Sequence, residues 1–201
     1  MSEFLLSISQ RLRNLNERQL DAVKQIDGPL LVLAGAGSGK TSVITTKIAY
    51  LIQTCGFKAN SIIAVTFTNK AAREMKERVS QLVKGKEARG LTVSTFHNLG
   101  MNILRAEYKA LQYTSGFSIF DAQDAQTLIR DLLMQDHGAE SDNAERIQQR
   151  ISQWKNEFIT PEQAIASAEG PADILCSQAY LRYQSALKAY NALDFDDLIM
   201  L

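Results

Sequence analysis

The spacing of apolar positions changes along this chain, and each change marks an element. Residues 30–34 (Leu30, Leu31, Val32, Leu33, Ala34) form an unbroken apolar run, the pattern of a parallel strand covered on both faces. Residues 35–39 then read as a loop. From 40 to 54 the apolar positions Ile44, Ile48, Leu51 and Ile52 fall on one side of a helix that Cys55-Gly56 closes. Ahead of the run, residues 16–26 read as a short helix stopped by Asp27-Gly28-Pro29. The alternation then repeats. A β-branched strand is expected over 61–67, a helix over 69–84 with the stripe Ala72, Met75, Val79 and Leu82, and a third strand over 91–96. Two strand–helix units in succession predict a right-handed parallel α/β sheet.

After residue 97 the strand pattern gives way to helices. Asp121 or Asp124 can cap a helix running to Asp136, with Gly138 as its stop. Further helices are expected over 144–158 and 174–192. Between them Thr160-Pro161-Glu162-Gln163 has capping-box spacing, with proline at the first helical position. The expected organisation is an α/β part over 1–96 and an all-helical part over 97–201.

With 45% apolar and 22% charged residues in 201, the chain has the composition of a globular protein with a full core. The apolar run at residues 4–8 is too short for a signal h-region or a membrane span. Cys55 and Cys176 have neither metal-ligand spacing nor a disulfide framework, so structural thiols in a reducing cytoplasm are expected. Net charge is zero but unevenly spread. Residues 58–90 hold eight basic against three acidic side chains, whereas fourteen acidic face six basic from Asp121 onward. The basic stretch is a candidate polyanion-facing side.

The most specific chemistry lies at Ala34-Gly35-Ala36-Gly37-Ser38-Gly39-Lys40-Thr41, a Walker A pattern with alanine in place of the first glycine. Gly35, Gly37 and Gly39 permit the turns that let backbone N–H groups wrap a phosphate, and the helix that follows offers its amino terminus to the anion. Lys40 is expected to reach the β and γ phosphates of ATP, and the Thr41 hydroxyl to ligate Mg²⁺. These two are the catalytic candidates.

Three neighbouring segments make the reading sharper. Leu15-Asn16-Glu17-Arg18-Gln19-Leu20-Asp21-Ala22-Val23 resembles the Q motif of superfamily 1 DNA helicases. Ala64-Val65-Thr66-Phe67-Thr68-Asn69-Lys70-Ala71-Ala72-Arg73-Glu74-Met75 is similar to motif Ia of the UvrD/Rep group, and Ser94-Thr95-Phe96-His97-Asn98-Leu99-Gly100 resembles motif Ib. The resemblance runs from about Leu15 to the last residue. It implies the amino-terminal part of a P-loop, RecA-like parallel sheet followed by an inserted helical subdomain, which returns toward the motor domain at its end. It further implies a parent ATP-dependent helicase or translocase with 3′ to 5′ polarity. Single-stranded DNA and single-strand/duplex junctions would be its substrates, and replication or repair proteins its partners.

The same resemblance assigns Gln19 to the adenine edge and the loop from Ala34 through Thr41 to the phosphates. Ser42 stands where relatives carry an arginine beside the adenine. Phe67, Thr68, Asn69, Thr95 and His97 are assigned to DNA. A phenylalanine leaving the carboxyl end of a strand can present its ring to a base, and Thr68 and Asn69 at the next helix start can hold phosphates. Leu193-Asp194-Phe195-Asp196-Asp197 could be mistaken for a Walker B acidic site. With no apolar strand expected before it, these carboxylates read instead as solvated cap and helix residues. Hydrolysis therefore lacks its water-positioning carboxylate within the 201 residues. The other classes in play are a stand-alone P-loop phosphotransferase and an ATP-dependent DNA-binding module.

Overall fold

Capping chemistry written into the sequence sets the first helices. Asn16 accepts a hydrogen bond from the backbone N–H of Gln19 at 2.9 Å, while Gln19 Oε1 accepts from the Asn16 N–H at 3.1 Å. This reciprocal box, worth about 1 kcal/mol, opens helix α2 (Glu17–Lys24) just after the short α1 (Ile8–Arg13). The computed structural model describes residues 8–137 and 143–201, so Gly138 and most of the apolar run at 4–8 lie outside the described residues. The chain divides into two units, Met1–Phe96 and His97–Leu201.

In the first unit, α3 (Lys40–Gln53) precedes β1 (Ile63–Thr66), α4 (Asn69–Leu82) and β2 (Thr92–Thr95). Thr68 caps α4 by accepting from the Ala71 N–H at 3.1 Å. The two strands run parallel, in register from Ile63 opposite Thr92 to Thr66 opposite Thr95. Ala72, Met75 and Val79 bury the expected stripe of α4, and Met75 and Val79 pack with Ile48, Ala49, Ile62, Ala64 and Val83.

The run at 30–34 departs from expectation. It is neither a strand nor buried: Leu31 is 84% and Leu33 88% exposed. An apolar run expresses a preference for burial, but a parallel strand needs hydrogen-bonded neighbours to realise it. Here β1 and β2 pair with each other, and among the described residues no strand pairs with 30–34. Ile44, on the expected apolar side of α3, is left exposed as well.

The second unit is mostly helical: α5 (Phe96–Glu107, entering from the first unit's last residue), α6 (Ala122–His137), α7 (Ala144–Asn156), α8 (Pro161–Ala166), α9 (Gly170–Ala189) and α10 (Asp197–Met200). Thr160 and Gln163 form the expected capping box at α8. The all-helical expectation needs correction, because β3 (Ser118–Phe120) and β4 (Ala192–Asp194) pair in parallel, Ser118 opposite Ala192. Ile129, Ile147, Ile151, Trp154, Tyr180 and Leu187 centre the core, with the Trp154 and Tyr180 rings stacked 11° from parallel at 5.9 Å. Gly100 of α5 meets α10 at backbone distance, since a Cβ there would lie 2.0 Å from the Leu198 carbonyl oxygen. Cys176 is buried as expected, whereas Cys55 is only partly so. No described helix is long and apolar enough to cross a membrane.

The acidic residues near the end of the chain are also not what their sequence suggests. Asp194 and Asp197 are buried, not solvated, and both accept hydrogen bonds from the buried Lys155 ammonium, at 2.7 and 2.8 Å. Their backbone N–H groups donate to each other's carboxylates, and the Tyr183 hydroxyl donates to Asp194 at 3.0 Å. The strand missing from the expectation is present as β4, but its carboxylates are already committed to a lysine. Burial pushes the Asp197 carboxyl up against the pull of that lysine. Burial likewise raises the phenols of Tyr183 and Tyr180, reinforced by the two aspartates, and carries Tyr113 up to about 12.

Candidate functional site

The glycine-rich loop leads directly into α3. Gly39 is the amino-terminal cap of that helix at φ 84°, and Gly37 sits at φ 72°, both in the left-handed region that side chains disfavour. No acidic side chain stands in the first turn of α3. Its leading N–H groups, which lack intrahelical acceptors, thus meet no competing carboxylate there.

Lys40 folds back across the loop, donating from Nζ to the carbonyl oxygens of Gly35 at 2.6 Å and Ala34 at 3.2 Å. The Ser38 hydroxyl donates to the same Gly35 carbonyl at 2.8 Å. Gln19 reaches the loop from α2, donating from Nε2 to the Ser38 carbonyl at 3.0 Å, and a Cβ at position 39 would come within 3.2 Å of that nitrogen. One side chain therefore both caps α2 and ties it to the loop. Ala36 is exposed on the loop, while Thr41 and Ser42 lie half-buried in the first turn of α3, where their carbonyls accept from the Thr45 hydroxyl.

Gln19, Ala34, Gly35, Ser38 and Lys40 border a cavity of about 620 Å³. Leu30, Val32, Val43 and Ile44 give it an apolar wall, Lys40, Lys47 and Arg18 a cationic one, and among the described residues no Asp or Glu lines it. Lys47 was missed in the sequence reading. Its ammonium caps the carboxyl end of α2 by donating to the carbonyls of Ala22 and Gln25. The signal available was spacing, since positions 40 and 47 fall on one face of a helix.

At the end of β1, Phe67 is 88% exposed, with Thr68 and Asn69 immediately after it at the start of α4. Its ring lies 5.5 Å from that of the half-exposed Phe96. Phe96 was also missed, although register announces it: Thr66 pairs with Thr95, so the next residue of each strand is a phenylalanine on neighbouring chain ends. Thr95 is buried at 6% exposure, with an internal partner, so it is not presented alongside Phe67. His97 is exposed and belongs to the second unit, where its ring meets Phe195 edge-on at 5.9 Å.

Comparison with known proteins covers nearly the same span. Residues 15–201 match the UvrD/REP helicase N-terminal domain. The chain is 54% identical over 190 residues to the ATP-dependent DNA helicase Rep of Escherichia coli, covering 93% of this chain and 28% of that protein. It is 42% identical over 194 residues to the ATP-dependent DNA helicase PcrA of Staphylococcus epidermidis, covering 94% of this chain and 26% of the relative. The chain thus spans little more than a quarter of the length of these relatives.

Proposed function

The chain belongs to the UvrD/REP helicase N-terminal domain family, and on that premise we propose that it is the nucleotide-binding part of an ATP-dependent, 3′ to 5′ DNA helicase or translocase. Residues 1–96 are the amino-terminal part of a P-loop, RecA-like motor domain, and 97–201 a helical insertion subdomain. The observation that carries the nucleotide reading is the loop itself: a left-handed glycine caps α3, with Lys40 held across the same turn. The unpartnered apolar run at 30–34 supports reading the first unit as part of a larger sheet.

The residues fit ATP and Mg²⁺. The phosphates would take the N–H groups of the loop and of the α3 start, with Lys40 leaving the Gly35 carbonyl for their oxygens. The Thr41 hydroxyl would serve the metal, whose chemistry is to neutralise charge developing between the β and γ phosphates. Gln19 retains what an adenine edge requires. Its Nε2 has a second proton beyond the one given to Ser38, and its oxygen a second lone pair beyond the one given to Asn16. Because no carboxylate among the described residues lines the cavity to position a water, this chain is expected to bind ATP weakly and not to hydrolyse it. Lys40→Ala is expected to weaken Mg–ATP binding about tenfold or more, read by calorimetric titration. Turnover by the unaltered chain that this substitution abolishes would overturn the claim of binding without hydrolysis.

The exposed Phe67 supports a track for single-stranded DNA, with Thr68, Asn69, Thr95 and His97 as its candidate companions and single-strand/duplex junctions as the wider substrate. Of these, Thr95 would have to emerge from burial to take part. Phe67→Ala is expected to weaken oligonucleotide binding by about 1–3 kcal/mol, with the remaining affinity falling as salt rises. Unchanged affinity in fluorescence anisotropy would remove Phe67 from the track. A cytoplasmic setting and replication or repair proteins as partners complete the proposal.

A further inference from the structure

The cavity beside the glycine-rich loop has three cations on its wall, and two of them are already engaged. Lys40 donates to the carbonyls of Ala34 and Gly35, and Lys47 to those of Ala22 and Gln25. Arg18 is different: it is exposed at the cavity and has no hydrogen-bond or ion-pair partner among the described residues. It also occupies an unfavourable place. Glu17 opens α2, so Arg18 stands in the first helical turn, where the helix dipole opposes a positive charge. Neither local stability nor an ion pair accounts for a guanidinium there. The cavity does, because among the described residues its lining combines an apolar wall of Leu30, Val32, Val43 and Ile44 with no acidic side chain to draw the guanidinium away.

Resting on the nucleotide reading above, we propose that Arg18 is a specificity residue, its planar guanidinium stacking on the nucleobase while the phosphates occupy the glycine-rich loop. A guanidinium suits this task. It stays charged at any working pH, is weakly hydrated for a cation, and lays a flat face on an aromatic ring. Gln19, the next residue, offers the base edge its amide, so adjacent side chains of one helical turn would hold the ring by its face and its rim. Ser42, in the first turn of α3, presents only a short hydroxyl and does not line this cavity, whereas Arg18 stands on its wall with a planar group long enough to cover a base.

Two probes separate the base from the phosphates: Mg–ATP and inorganic tripolyphosphate, each titrated calorimetrically against the 201-residue chain. Arg18→Ala is expected to weaken ATP binding about tenfold and leave tripolyphosphate binding unchanged, with no loss of thermal stability. Lys40→Ala is expected to weaken both ligands. An Arg18→Ala chain that binds ATP as before overturns the proposal, and so does one that loses both ligands equally, since Arg18 would then act as a general counter-charge. If the unaltered chain binds neither ligand, the nucleotide reading itself fails, an outcome distinct from either result with Arg18→Ala.

Discussion

Replacing Lys155 with methionine is expected to destabilise the second unit by about 3–5 kcal/mol, the loss associated with breaking a buried ion pair from one side. The substitution keeps the aliphatic stem and removes the ammonium that faces Asp194 and Asp197, so among the described residues the two carboxylates remain buried with hydroxyl, amide and backbone donors. Trp154, the sole tryptophan, stacks on Tyr180 in the same core and provides a fluorescence signal for this unit. The urea midpoint read from it should fall by roughly 1–3 M. Replacing Asp194 and Asp197 by asparagine in the methionine background should recover part of the loss, because apolar or neutral substitutes for a whole buried ionic cluster are tolerated better than a broken one. A midpoint shift under about 0.5 M would mean that water reaches these carboxylates and that the network contributes little.

A second large effect is expected in alkali. Tyr113, Tyr180 and Tyr183 are buried, and their phenols are held above the ordinary value near 10, Tyr113 at about 12 and the other two higher. Burial is the main cause in each, and the charges of Asp194 and Asp197 add to it. A raised folded-state value favours the protonated, folded form. That contribution is fully present below about pH 10 and is lost as pH climbs from there toward the folded values. With three such groups, stability should fall by at most about 3 kcal/mol between roughly pH 10 and 11. Urea unfolding followed through Trp154 measures it, and the share of phenolate absorbance that belongs to these three of the six tyrosines should appear together with unfolding rather than before it. Tyr183→Phe should flatten the slope by about one proton's worth. A slope unaffected by that change would assign the alkaline loss to other groups.

What could be read from the sequence was what local chemistry decides. The helix start at Asn16, the box at Thr160, the stripe of α4 and the turn into α3 each depend on residues within a few positions of one another, so spacing alone places them. The loop residues were legible for the same reason, whereas Phe67 was singled out only by the resemblance of its segment to motif Ia. Legibility ended where the outcome depended on a distant partner. Residues 30–34 have the hydropathy of a buried strand, yet burial requires neighbours that hydropathy does not name. β3 and β4 are only three residues long and earn their pairing from each other across four helices, which no short window contains. Asp194 and Asp197 looked solvated because Lys155, the residue that buries them, lies some forty positions away. Phe96 emerged only when strand register set it beside Phe67.

The β3–β4 ladder also has a consequence for how the second unit forms. Its strands join position 118 to position 192, with α6 through α9 strung between them. The intervening helices can begin from local contacts, but the ladder must close a long loop before it gains any hydrogen bond. In kinetic terms the ladder is a latch, set after the helices have condensed. Lys155 on α7 then finds Asp194 only once β4 has docked, so the buried charges meet late, when a folded core already surrounds them.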